Sequence, residues 1–346
     1  MSGHIRQQSA ESFVFVREEP LPLRHKPRVE AGVALTGHGG GTVFQENVDY
    51  VVDYERGLIR RTANSRIPDW SQHPMYGVRN FDHLLYRDYS NLPYTVYAKY
   101  EYTADREETV GDVKRAAEIL PRTVAKLTSA SPVKYAVLGD SISTGGEASS
   151  ADCAFFGRLS RYLRERFAAD SGAEITIVNK AVGGETSEGG AARVERDVLP
   201  LEPDLVTVGY GMNDQNLFAT GLAVPPNDFV RNIETIIRRI RNHHDCDIIL
   251  ITPCSPNPLW KHASGKTKDY AEALRELGMK HNIGVADVYA VWEEALAAGK
   301  TPESLLLNNI NHPNDYGHEL YFIALKRLLE GDADAGSPRQ DGGFPA

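Results

Sequence analysis

Val133-Lys134-Tyr135-Ala136-Val137-Leu138-Gly139-Asp140-Ser141-Ile142-Ser143-Thr144-Gly145-Gly146 is the stretch on which the reading of this chain turns. Its first six residues, apolar but for Lys134, have the length and composition of a buried strand, and Gly139 ends it. A turn beyond a strand presents the Ser141 hydroxyl at the sheet edge and points backbone N–H groups into the same space. A serine hydroxyl is a poor nucleophile until a base takes its proton. On its own, Ser141 reads more readily as the cap of a following helix. Three later blocks favour the chemical reading: Gly184 in Val182-Gly183-Gly184-Glu185-Thr186, then Gly211-Met212-Asn213-Asp214, then His312-Pro313.

Working outward, short apolar strands alternate with helical periods. Strands are expected at Val133–Leu138, Ile175–Val178, Leu205–Val208, Ile248–Thr252 and Gly284–Val288. Helices are expected at Cys153–Phe167, 189–198, Pro226–Asn242 (capped by Asn227 or Asp228), Lys268–His281 and Asp315–Leu329. Such alternation implies right-handed crossovers and a parallel sheet covered on both faces. Ligands bind such sheets beyond the carboxyl ends of the strands, and the blocks fall there.

The blocks supply one nucleophile, one base and several hydrogen-bond donors, which suits acyl transfer through a serine ester. Ser141 is the candidate nucleophile and His312 the candidate base; imidazole is suited to take a proton and return it. The N–H groups of Ser141 and Gly184 and the Asn213 side chain are candidate oxyanion donors. The bare Cα of Gly184 lets a substrate approach the backbone. Asp140, Glu147, Glu185 and Asp214 sit near the expected rim and suit a hydroxyl-rich substrate. His318, inside the last helix, reads as a packing residue, and His243-His244 as the solvated end of a helix. No histidine pair has metal-ligand spacing.

With these four blocks in this order, residues 131–330 resemble the SGNH, or GDSL-like, hydrolase family. The resemblance implies a flavodoxin-like three-layer α/β/α domain with a parallel sheet. It also implies hydrolysis of esters or thioesters of lipids, aryl alcohols or acetylated sugars, with no metal or organic cofactor. Ser141 would be the nucleophile and His312 the base, with Ser141, Gly184 and Asn213 around the oxyanion. One position departs from the family: the aspartate expected three residues before the histidine is Asn309 here. A neutral amide can orient an imidazole but gives its cation less support than a carboxylate does. The expectation is a Ser-His dyad steadied by Asn309 or by a backbone carbonyl, or else a carboxylate from elsewhere.

Residues 1–110 read differently, with strand signals at Thr42–Phe44, Tyr50–Tyr54, Leu58–Thr62 and Tyr94–Tyr102 and a glycine-rich turn at Gly37–Gly41. They are expected to form a small, mainly β, sandwich-like domain. Residues 111–130 read as a helical linker interrupted by Pro121, with Asp112 in its spacing, and 331–346 as a disordered tail. The aromatic residues Trp70, His73, Tyr76, Phe81, His83, Tyr86, Tyr89, Tyr94 and Tyr97 read either as the core of this domain or as stacking faces for sugar rings.

A formal charge of −9 gives no electrostatic footprint for nucleic acid. The basic run Arg238–Arg241 fits a helix C-terminus. Three cysteines without metal or redox spacing, no secretory leader and no apolar run of membrane length suggest free thiols and a cytoplasmic protein, with no membrane partner. The composite expectation is an esterase acting on short acyl, chiefly acetyl, groups of a small-molecule or oligosaccharide ester, with homo-oligomerisation possible through strand edges. A lipase or thioesterase and a weakly active carbohydrate-binding homologue are the alternatives.

Overall fold

Five parallel strands form the central sheet: β1 (Val133–Gly139), β2 (Ile175–Asn179), β3 (Leu205–Gly209), β4 (Asp247–Ile251) and β5 (Gly284–Ala286). The computed structural model describes residues 4–104 and 113–331; Asp112 and the expected tail beyond Gly331 lie outside the described residues. The strand order is β5-β4-β3-β1-β2, every neighbouring pair parallel. This is the flavodoxin-like order, in which the direction of winding reverses between β1 and β3 and opens a crevice at their carboxyl ends.

Alternate residues of each strand enter opposite faces, as the period of two requires. Tyr135, Val137, Leu205, Ile249 and Ile251 pack with α3 (Phe155–Phe167), α7 (Val288–Ala297) and α9 (Asp315–Glu330). Ala136, Leu138, Val206, Val208, Ile248 and Leu250 pack with α4 (Ser187–Asp197), α5 (Pro226–His243) and α6 (Thr267–His281). The segment before β1 forms two short helices, α1 (Val113–Ile119) and α2 (Pro121–Thr128), split where Pro121 interrupts.

Several boundaries differ from the sequence reading. α5 starts directly after Pro225, with Pro226 in its first turn, so neither Asn227 nor Asp228 caps it. Proline in the first turn pre-sets the helical φ and needs no N–H. β5 stops at Ala286 because Asp287 caps a helix, accepting from the Ala290 N–H; the valines and aromatics of Val288–Trp292, strand-favouring residues, hid α7. A further short helix, α8 (Pro302–Leu305), follows.

The front region holds two antiparallel sheets. One has the order His4–Val14, Thr95–Ala104, Val33–Gly37, Val43–Phe44, and the other Leu21–Pro22, Leu58–Arg61, Tyr50–Asp53. They share a core of Phe13, Phe15, Leu35, Ile59, Ile67 and Val96. Strand His4–Val14 escapes sequence reading because Gln8, Glu11 and Ser12 are polar and yet buried. They face the α/β part. Gln8 donates to Glu319, Ser12 donates to the Ser304 carbonyl, and the Glu11 carboxylate lies 2.7 Å from Lys300 Nζ. Lys300 also donates to the Ser12 carbonyl and stands 3.5 Å above the Phe13 ring centre.

Residues 67–94 lie over the same side. Met75 and Phe81 pack with Trp260 and Ile310, and the Phe81 backbone bridges to Trp260. Trp70, His73 and Phe81 are therefore core residues, while Tyr76 is exposed.

Lys300 and Glu11 are both almost sealed from solvent, so removing one partner strands the other's charge. Lys300→Met is expected to cost about 3–5 kcal/mol of unfolding free energy, measured by urea denaturation.

Candidate active site

The end of β1 packs so closely against β3 that only glycine fits. A Cβ on Gly139 would lie 2.4 Å from the Gly209 carbonyl oxygen and 2.3 Å from Ser143 Oγ. Immediately beyond, Thr144 Oγ1 and the Gly146 N–H donate to the Ser141 carbonyl, making a compact turn. No helix starts there: α3 begins only at Phe155, so Ser141 does not act as a helix cap.

Ser141 Oγ lies 2.8 Å from His312 Nε2, a hydrogen bond across 171 positions of sequence. The loop after β2 arches over the serine: the Val182 N–H donates to the Gly139 carbonyl, and a Cβ on Gly183 would be 3.9 Å from Ser141 Cβ. Gly184 is exposed with φ +75°, a conformation that favours glycine. Among the described residues no acceptor takes the N–H of Ser141 or of Gly184. The Asn213 side chain donates one N–H to the Glu185 carbonyl at 3.0 Å, which orients the amide and leaves its second N–H.

Three of the acids expected at the substrate rim are turned inward instead. Asp140 is buried, accepts from the Ile142 N–H, and has its carboxyl pushed up to about 7 by burial, with Asp214 and Glu185 adding repulsion. Asp214 is fully buried and accepts from the Ser187 N–H, the Ser187 hydroxyl and the Gly211 N–H. Glu185 holds Arg193 through both oxygens and accepts from the Tyr210 hydroxyl. Asp214 and Glu185 tie the loops after β2 and β3 together, and Asp140 closes the turn after β1 on itself. Glu147, the fourth, stays exposed on the rim, its Oε1 4.0 Å from His312 Nδ1. The imidazole beside it holds the Glu147 carboxyl below the usual carboxylate range, against the opposing effect of burial.

Asn309 does not meet the imidazole. Its backbone adopts φ +57° and its side chain is buried beneath the loop. Its Oδ1 accepts from Asn257 Nδ2 at 2.9 Å, and its Nδ2 points at Met75 Sδ. The orienting role expected of it is geometrically closed.

The segment bearing His312 is held by residues that sequence reasoning did not single out. Asn308 Oδ1 accepts the N–H groups of Ile310, Asn311 and His312. Asn91, in the front region and fully buried, donates from Nδ2 to the Glu303 and Leu306 carbonyls and from its backbone to Leu307. Ser90 also donates to Leu307, and Asn257 donates to the Asn309 carbonyl. Nothing local in the sequence marks Asn91, because its partners lie more than 200 positions away. His318 packs beneath the site, with Nε2 3.2 Å from the Gly146 carbonyl and the ring fully buried. The carbonyl requires the Nε2–H tautomer, and burial depresses this imidazole to about 4. His243 is exposed at the end of α5, away from these loops. Cys254 is buried, Cys153 and Cys246 are partly so, and all three are free thiols.

Residues 137–320 match the model of the GDSL-like Lipase/Acylhydrolase family. The chain is similar to the solved structure of an acetylxylan esterase from Geobacillus stearothermophilus, with 23% identity and a TM-score of 0.49 over 58% of this chain and 96% of that one. It is similar to an α/β hydrolase from the metagenome of Lake Arreo, Spain, with 23% identity and a TM-score of 0.48 over 59% of this chain and 98% of that one. No curated protein gives a significant match.

Two outcomes are expected. Asn91→Ala leaves buried acceptors on the His312 segment without donors and lowers unfolding free energy by about 3 kcal/mol in a denaturant titration. His318 binds a proton in the unfolded chain below its ordinary pKa of about 6.5 but in the folded protein only below about 4. Its contribution to stability is therefore complete above about 6.5 and is lost as pH falls toward 4. His318→Gln, which keeps a donor for the Gly146 carbonyl, should flatten that acid limb in melts recorded across the range.

Proposed function

The chain belongs to the GDSL-like lipase/acylhydrolase family and is a carboxylic ester hydrolase, and from that premise we propose that it removes short acyl groups, acetyl above all, from a carbohydrate. The observation that carries the proposed chemistry is the 2.8 Å contact between His312 Nε2 and Ser141 Oγ. Ser141 attacks the ester carbonyl as Nε2 takes its proton, and the imidazolium returns that proton to the leaving alcohol. Water, deprotonated by the same nitrogen, then attacks the acyl-enzyme and releases the acid. The oxyanion formed in each half-reaction faces the free N–H groups of Ser141 and Gly184 and the second N–H of Asn213. Losing one such donor costs about 3 kcal/mol of transition-state stabilisation.

A short acyl group suits the surroundings of the nucleophile, since the blocks that carry Ser141, Gly184, Asn213 and His312 hold no long apolar stretch that would seat an alkyl chain. For the sugar, a line of rings runs from loops that follow β3 and β4 to the front region, open at Phe218, partly open at His262 and closing on the buried Trp260. Phe218, 47% exposed, lies 4.8 Å from His262, which lies 5.1 Å from Trp260, which lies 5.9 Å from His83. Amphipathic ring edges and faces of this kind suit an alcohol that is apolar on one side and hydroxylated on the other.

Acetate release from acetylated xylo-oligosaccharides, alongside p-nitrophenyl esters of increasing acyl length, tests this reading. Wild type should favour acetyl, and Ser141→Ala should lower kcat about 10⁴–10⁶-fold. Faster turnover of octanoyl than acetyl esters would instead make the lipid reading correct, and undiminished Ser141→Ala activity would remove serine catalysis.

A further inference from the structure

We infer that Glu147, on the loop carrying the nucleophile, is the positioning carboxylate of His312, in the place where the family resemblance puts residue 309. The inference rests on the proposed Ser141–His312 chemistry and adds to it a partner from a different segment.

For Nε2 to accept the Ser141 proton, Nδ1 must carry the ring's other hydrogen, and that hydrogen needs an acceptor. Asn309 is unable to serve, its side chain being committed to Asn257 and Met75. The carbonyl of Gly146, on the same loop as Glu147, is aimed at His318 Nε2. Glu147 Oε1 stands 4.0 Å from Nδ1, within ion-pair reach and about 1 Å beyond hydrogen-bond length. Catalytic hydrogen bonds are often long before substrate binds.

The loop is built to make this approach. Gly146 lies flat under the ring, where a Cβ would fall 3.5 Å from Nδ1. Glu147 itself adopts φ +65°, a left-handed conformation that is strained for a residue with a Cβ. Strain of that kind persists where the surroundings over-determine it, and here it delivers a carboxylate to the imidazole. During reaction Glu147 remains ionised: the proton travels from Ser141 Oγ to Nε2 and on to the leaving oxygen, while the carboxylate stabilises the transient imidazolium.

Other titratable groups face the pair. His38 and Tyr97 of the front region act on Glu147, and His318 acts on His312, with Asp315 and Arg158 also acting on His318. All of them are kept in a Glu147 variant, so a change in the His312 titration reports on Glu147 alone.

The test compares wild type, Glu147→Gln, Glu147→Asp and Asn309→Ala on p-nitrophenyl acetate across pH. Glu147→Gln should lower kcat about 10²–10³-fold and move the acidic limb of kcat/KM to lower pH, because an unsupported imidazolium loses its proton more readily. Glu147→Asp should recover part of both effects, and Asn309→Ala should leave the limb in place. A Glu147→Gln enzyme within about threefold of wild type, with the limb unmoved, would overturn the inference. An NMR titration of the His312 ring gives the answer independently of turnover. A His312 pKa that falls in Glu147→Gln supports the pairing even if wild type cleaves no acetyl ester, in which case only the esterase reading fails. A His312 pKa that does not move overturns the pairing.

Discussion

The segment from Gly299 to Asn314 has one turn of helix and one isolated bridge, yet it must keep an imidazole nitrogen 2.8 Å from a hydroxyl borne by another part of the chain. Irregular backbone inside a protein is tolerable only if each carbonyl and N–H finds a partner. Asn308 serves three N–H groups from within, and the other partners come from outside the segment: Asn91, Ser90 and Ser12 from the front region, and Asn257 from the loop after β4. Lys300 pins the start of the segment to Glu11, and Asn314 closes its end by capping α9. The front region is thereby part of the scaffold of the base.

On the opposite side of Ser141 the difficulty is charge. A developing oxyanion is destabilised by carboxylates nearby, and the motif blocks carry three of them. Each is neutralised in its own way. Asp140 is pushed toward protonation by burial, Asp214 is surrounded by three donors, and Glu185 is bound by Arg193 and Tyr210. The hydrogen bonds that disarm these acids also fix the loops that aim Gly184 and Asn213. Glu147 alone keeps its charge toward the site, and it does so on the imidazole side, where a cation forms.

The parallel sheet was legible because its strands are continuous apolar runs between glycines and helical periods, signals that need no knowledge of distant contacts. Ser141, Gly184, Asn213 and His312 were legible as positions on one rim. Asn309 was legible as a departure from the family pattern, but the direction of its side chain was not, since that follows from a left-handed backbone and from Asn257. Strand His4–Val14 was hidden for the same kind of reason: Glu11 looks like a surface residue until Lys300 is placed against it. Glu147 could be assigned to the rim, but its neighbour is set by where a segment more than 150 positions later comes to rest.

The buried contacts joining the front strands to segment 299–314 bear on how such a chain can be inherited. Two regions that share a hydrophobic face alone can be exchanged between relatives, since one apolar surface tolerates another of similar shape. Here the seam includes a lysine paired with a glutamate, a serine held by a carbonyl, and Asn91 donating to Asn309. A recombination event at the boundary would bring together mismatched donors and acceptors directly beneath the imidazole. Descent should therefore keep the two parts together, with residue 91 changing in concert with residue 309, and residue 11 with residue 300.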